Sequence, residues 1–271
     1  MLAKILIDNI GNDGLIGEWG LSVYVEYEGK KYLLDAGTTG KFTQNARAMG
    51  IRLQDVDYSI LSHAHYDHAD GFKAFFKENE KAPLFLREGT AENCYHYYPI
   101  FKKYIGIHRG YLKKYANRIR YVSGDFSPEK GVYLIPHKMP GLEEIGKAAC
   151  MCVKKNHKWV FDDFSHEQSL VFDTAEGLVI FNSCSHGGAD NIITEIGKTF
   201  PDRKIYALIG GFHLFRSSDD EVRALAGRIK ETGIQRIYTG HCTGKRAFSI
   251  LKEELGDIAE QLHVGLEIKI G

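Results

Sequence analysis

Three imidazoles and a carboxylate fall within six positions of one another in the stretch 62–71, which reads SHAHYDHADG. His63, His65, Asp67 and His68 are metal ligands by type. An apolar run over 58–61 precedes them with the character of a strand, and residues 70–76 can begin a helix. Side chains alternate along extended chain, so His63 and His65 point the same way and can hold one ion together. Asp67 and His68 fall in the turn that follows, able to face a second ion beside the first. Neutral imidazole with carboxylate suits zinc, iron, nickel or manganese, zinc being the first expectation. A lone histidine is usually a solvated turn residue; four ligand-type residues at this spacing are a much stronger signal.

The elements that would position such a site can be read on both sides of it. Strands are expected over 3–8, 21–27 and 31–35, with Glu28-Gly29-Lys30 as a hairpin turn, so the chain opens as a sheet meander. A helix over 43–49, closed by Gly50, leads to a buried strand over 56–61 that feeds the histidine motif. Beyond His166, two apolar strands turn at Ala175-Glu176-Gly177 and end near Cys184 and His186. A strand over 205–209 runs to His213, a helix over 219–232 follows, and a strand over 236–238 ends just before His241. Alternating strands and helices point to a layered α/β fold.

Composition bounds the rest. With 271 residues and 44% hydrophobic content the chain can bury a large core, and one domain over 1–271 is expected. Lys+Arg and Asp+Glu are both 35, so nothing global points to nucleic acid or to a membrane surface. No stretch approaches the roughly 20 apolar residues of a membrane span, and the first residues lack a cleavage-like pattern, so a cytoplasmic protein is expected. The cysteines number five and form no CxxC pair, which argues for reduced thiols.

The segment around 81–163 reads as an inserted cover. Tyrosines at 95, 97, 98, 104, 111, 115 and 121 interleave with Lys102, Lys103, Arg109, Lys113, Lys114, Arg118 and Arg120. Such a segment could stack a flat ring and hold an anion, with Arg109 and Lys113 as the cations, could be an amphipathic cover, or could form a homodimer surface.

HxHxDH at a strand-to-helix turn resembles the metallo-β-lactamase superfamily. EWGLS (18–22), YLLDAG (32–37), SHAHYDHADG, NSCSHGG (182–188), IGGFHL (209–214) and TGHCTG (239–244) narrow the resemblance to one subgroup. That subgroup is described as metal-dependent hydrolases similar to the synthase of 7,8-dihydropterin-6-methyl-4-(β-D-ribofuranosyl)aminobenzene 5'-phosphate. The resemblance implies an αβ/βα four-layer sandwich with metal at one edge. It implies His63, His65 and His186 on a first ion, Asp67, His68 and His241 on a second, and Asp35 in support beneath them. Cys184 stands where many relatives carry a bridging aspartate, so it is a further candidate and a one-ion site stays open. In more distant relatives a histidine placed like His166 is the third ligand, whereas the subgroup's CSHxG motif favours His186. Trp19 replaces a histidine expected after Glu18. Asp67 and His213 become the candidates for orienting water and moving a proton. The implied activity is metal-dependent hydrolysis of a small, anionic substrate by activated water. The alternatives are synthase chemistry, joining a pterin methyl pyrophosphate to an aromatic amine, and a metal-containing binding protein without catalysis.

Overall fold

The structure, a computed structural model, describes residues 1–12 and 14–271. Two seven-stranded sheets lie face to face. The first runs Glu267–Lys269, Leu2–Ile7, Ser22–Tyr27, Lys30–Leu34, Tyr58–Ile60, Leu84–Arg87 and Ile119–Val122; the second runs Ala259–Gln261, Arg236–Thr239, Ile205–Gly210, Gly177–Phe181, Gln168–Thr174, Val132–Pro136 and Phe126–Glu129.

Strict alternation sends successive side chains to opposite layers. Ile5, Val23, Val25 and Leu34 face Phe172, Val179, Phe181 and Ile209 between the sheets. Their neighbours Leu6, Tyr24 and Leu33 face outward, onto Phe42 and Ala46 of the helix Lys41–Ala48 and Phe72 and Phe75 of Phe72–Glu78. On the other side Ile180 and Leu208 meet Ile192, Val222 and Leu251 from the helices Ala189–Thr199, Asp219–Glu231 and Lys245–Leu255. The result is the α/β four-layer sandwich expected. A capping box at Ser218 and Glu221 starts the helix Asp219–Glu231. No helix among the described residues is long and apolar enough to cross a membrane.

The segment 81–163 is not one insert. Leu84–Arg87 and Ile119–Val122 extend the first sheet, and Phe126–Glu129 and Val132–Pro136 extend the second. What stands apart is a small sheet in the order Lys158–Phe161, Met151–Lys155, Cys94–Tyr97, Lys102–Tyr104. The apolar inner faces of the four absorbed strands pull them into the sandwich, while the tyrosines and lysines mark the strands left outside.

Parallel pairing sets the functional edge. Lys30–Leu34, Tyr58–Ile60 and Leu84–Arg87 run parallel, as do Gly177–Phe181, Ile205–Gly210 and Arg236–Thr239, so their carboxyl ends collect at one rim. The helix expected from residue 70 is present as Phe72–Glu78, whereas the expected turn before it is itself a short helix, Tyr66–Ala69, which carries Asp67 and His68. Gly71 between them lets the motif approach the first sheet, since a Cβ there would lie 1.9 Å from the Ala36 carbonyl oxygen. Gly71→Ala is therefore expected to destabilise the fold by about 1–3 kcal/mol through overpacking. Urea unfolding checks this; an unchanged midpoint would contradict it.

Candidate metal centre

Six strand ends deliver the side chains to the rim. Asp8 follows Leu2–Ile7, Asp35 follows Lys30–Leu34, His63 follows Tyr58–Ile60, Cys184 and His186 follow Gly177–Phe181, His213 follows Ile205–Gly210, and His241 follows Arg236–Thr239. Asp35, Ser185, His213 and His241 all adopt positive φ, between 45° and 56°. Such backbone is costly for residues other than glycine and concentrates where a site imposes it.

The imidazoles are each fixed by one nitrogen. Ser62 donates its hydroxyl to Asp35 Oδ2 at 2.6 Å and lies 2.7 Å from His63 Nδ1, so that ring nitrogen is the donor of the pair. His68 Nδ1 lies 2.7 Å from Asp35 Oδ2. His186 Nδ1 bonds Glu167, and His241 Nδ1 lies 3.1 Å from Asn9 Oδ1. With Nδ1–H committed in all four, each Nε2 carries a lone pair. Nε2 of His63, His65 and His186 is buried with no partner in the protein. The three rings stand 4.7, 4.9 and 5.0 Å apart, a triangle with those groups mutually within reach of one ion. Burial and then the neighbouring histidines hold His63 and His65 well below the usual histidine range, so both rings are neutral.

Beside that triangle, His68 Nε2 faces His241 Nε2 at 3.2 Å. At that distance the two nitrogens can share one proton as N–H···N, or both can face one cation. Asp67 Oδ2 lies 3.5 Å from His241 Nε2 and 3.8 Å from His68 Nε2, and Cys184 Sγ lies 3.3 Å from His68 Nε2. His68 is pushed up to about 9, because Asp67 and Asp35 outweigh burial. Without an ion, a proton takes that place. Cys242 Sγ sits 3.4 Å from Cys184 Sγ and accepts the His213 amide. Burial pushes Cys184 up, whereas at Cys242 the Cys184 contact and His213 outweigh burial and bring it to about 6.

His186 and His166 are distinguished by their free atoms. The Ala64 amide donates to His166 Nδ1 at 3.2 Å, and its Nε2 contacts Asp162 at 3.2 Å and Cys94 at 3.6 Å. Both nitrogens are used inside the protein. His186 keeps Nε2 open, and His213 offers a buried, unpartnered Nδ1 with its ring 4.8 Å from that of His186.

Several supports carry no motif in the sequence. Glu167 binds both the His186 ring and its amide, and His137 joins Glu167 at 2.9 Å to Glu195 at 3.1 Å. His186 and His137 outweigh burial and hold Glu167 well below the usual carboxylate range. Asp8 accepts the His241 amide at 2.8 Å, and burial pushes it up to about 6. The only signal for Asp8 was its place at a strand end, shared with Asp35. Arg109 and Lys113 do not line the cleft at this rim: Arg109 lies over the Tyr104 ring and donates to Tyr95. The small sheet contributes His96, Cys150 and Met151 to the cleft wall instead.

A fold of this layering with histidines and acids at one sheet rim defines a class, and comparison with known proteins gives the same class. The family described as the metallo-beta-lactamase superfamily matches residues 20–142. A crystal structure described as a metal-dependent hydrolase of the beta-lactamase superfamily is 30% identical, with a TM-score of 0.83, covering 100% of this chain and 99% of that one. The chain belongs to the metallo-β-lactamase superfamily, whose members typically bind divalent metals. It is also 28% identical to the 7,8-dihydropterin-6-methyl-4-(beta-D-ribofuranosyl)-aminobenzene-5'-phosphate synthase of Methanocaldococcus jannaschii, over 95% of this chain and 92% of the relative. A diphosphatase of the PhnP family shares the fold at 16% identity and a TM-score of 0.56.

Two outcomes follow from these contacts. Glu167→Gln should weaken ion binding at the His63, His65 and His186 group by about 10–100-fold, while His166→Ala leaves the stoichiometry unchanged; equilibrium dialysis with zinc reads both, and the reverse ranking would overturn the assignment. His137 is pushed up to about 9, since Glu167 and Glu195 outweigh burial. A histidine raised above its ordinary value of about 6.5 contributes stability that is full below that pH and lost as pH rises through its folded pKa. Urea midpoints should therefore fall as pH climbs through about 9, and the slope should flatten in His137→Gln.

Proposed function

We propose that the protein is a metal-dependent hydrolase acting on a small anionic substrate. One observation carries this reading: four buried imidazoles are held by Nδ1 with Nε2 turned into two adjacent groups, and His68 and His241 bring two Nε2 atoms to 3.2 Å, where one ion could take both. His63, His65 and His186 would hold one divalent ion, and Asp67, His68, His241 and Cys184 a second, with zinc preferred because imidazole and thiolate suit it. Bound there, such ions supply Lewis acidity and bring the pKa of water from about 15.7 towards about 7.

The protein's own groups have distinct tasks. Asp35 and Glu167 keep the rings in register and in the tautomer that leaves Nε2 free. Asp67 orients the attacking water through its carboxylate. His213, with Nδ1 unpartnered beside the cleft, transfers a proton to the leaving group. The small sheet covers the rim and excludes bulk water.

The test is elemental analysis of untreated protein, then a hydrolysis screen of phosphodiesters, thioesters and lactones. A His63→Ala, His65→Ala double variant should lose most bound metal and more than about 100-fold in kcat/KM, with its circular dichroism unchanged. Full metal retention would sink the assignment. The 28% identity to the M. jannaschii synthase over 95% of this chain favours a second reading, the joining of a pterin methyl pyrophosphate to an aromatic amine. Formation of the coupled product from those reactants, without turnover in the screen, would select it.

A further inference from the structure

Two large side chains at the mouth of the centre have no part in holding the histidines. Trp19, in the loop after Leu2–Ile7, is 44% exposed, and Phe215, in the loop after Ile205–Gly210, is 39% exposed. They meet edge to face with centroids 5.9 Å apart. Trp19 lies against the His241 ring at 5.2 Å, and Phe215 against the His213 ring at 5.1 Å. An unbroken aromatic wall thus runs from the second-ion side to His213, with much of its surface left in water. Large apolar surface left exposed beside a polar cleft is a mark of a binding site.

The same loop supplies a fixed cation. The Arg216 guanidinium stands 5.4 Å from the Phe215 ring centroid, and its Nη1 donates to His96 Nε2 at 3.0 Å. His96 comes from Cys94–Tyr97 of the small sheet. Burial, then Arg216, lowers its pKa, so the ring is a neutral acceptor. Arg216 is therefore held in place by an uncharged partner, which leaves its positive charge uncompensated and most of its donors free. Phe215, Arg216, His96, His213 and His186 line one cleft of about 640 Å³. That volume suits a small molecule.

We propose that the cleft takes a substrate made of a flat aromatic ring bearing an oxyanion group: the ring rests on Phe215, which lines the cleft with Trp19 packed against it at the mouth, and Arg216 holds the acidic group. This rests on the hydrolase reading only for where the cleaved bond lies. An aromatic face packs on another ring through a large contact area, and a guanidinium binds carboxylate or phosphonate oxygens through paired N–H bonds. An alkyl anion would use Arg216 alone, and a neutral arene the wall alone.

The chain has two tryptophans, so in a Trp159→Phe background Trp19 is the sole indole. The metal-loaded protein is titrated with 4-nitrophenylphosphonate, which quenches indole and has no hydrolysable ester. 4-Nitrobenzoate tests the carboxylate arm, and methylphosphonate serves as competitor. Saturable quenching is expected, with an aryl phosphonate or benzoate Kd about tenfold below that of methylphosphonate, the scale of one good aromatic contact. Arg216→Ala and Phe215→Leu should each raise the aryl Kd about tenfold, with Arg216→Lys recovering part of the loss. Arg109→Ala, remote from the cleft, should not change it. Equal affinity for methyl and aryl phosphonate, or a Kd indifferent to Arg216→Ala in a folded variant, overturns the proposal. On the same preparations, turnover of an aryl phosphodiester with a KM unmoved by Phe215→Leu and Arg216→Ala removes the clamp and keeps the hydrolase. Selective aryl binding with no turnover of any ester keeps the clamp and removes the hydrolase.

Discussion

The carboxylate of Asp35 is the interaction on which the rim depends. Fully buried, it accepts the Ser62 amide at 2.7 Å, the Ser62 hydroxyl at 2.6 Å and His68 Nδ1 at 2.7 Å. Through Ser62 it sets the His63 ring, and directly it sets the His68 ring, so one anion orients a side chain of each of the two histidine groups. A buried carboxylate is tolerable only with its acceptor capacity filled, and here the motif that it positions does the filling. The left-handed backbone at Asp35 is the cost of turning that carboxylate under the next strand.

The same logic repeats around the centre with different residues. Glu167 holds His186, Asn9 holds His241, and Asp8 ties down the His241 backbone. Asp8 and Asn9 both follow Leu2–Ile7 of the first sheet while His241 follows Arg236–Thr239 of the second, so that ring is locked only when both sheets are assembled. Parallel pairing within each sheet, and the packing of Phe172, Phe181 and Val25 between them, fixes the spacing of those ends. Rigid strands below and irregular loops above hold the histidines in fixed orientations beside an open cleft.

Cover and centre meet through the cleft wall. The small sheet brings His96 to Arg216, which ties a segment remote in sequence to the loop that carries His213 and Phe215. Tyr95, Tyr104 and Trp159 pack among themselves on that sheet, with Lys102 and Arg109 over their rings. Much of the aromatic and basic character of 94–121 thus stabilises the cover, and from that stretch His96 alone lines the cleft.

The sequence alone determined the alternation of strands and helices and the HxHxDH cluster, which follow from local rules, while the four-layer packing and the place of His186 and His241 were implied by resemblance of its motifs to a family. Period-two alternation marked the strands, and HxHxDH, CSHGG and GHCTG placed His63, His65, Asp67, His68, His186 and His241 at their ends. Tertiary structure decided what local rules cannot carry. His166 and His186 are both histidines beside strands, and only the Ala64 amide and the Asp162 and Cys94 side chains, from other parts of the chain, occupy the ring of the first. Glu167, His137 and Glu195 form one buried chain of hydrogen bonds although they lie on three separate elements, so no spacing in the sequence announces them. The cover divided between three sheets for a related reason: pairing partners of a strand are chosen by burial of its faces across the assembled core, not by its neighbours along the chain.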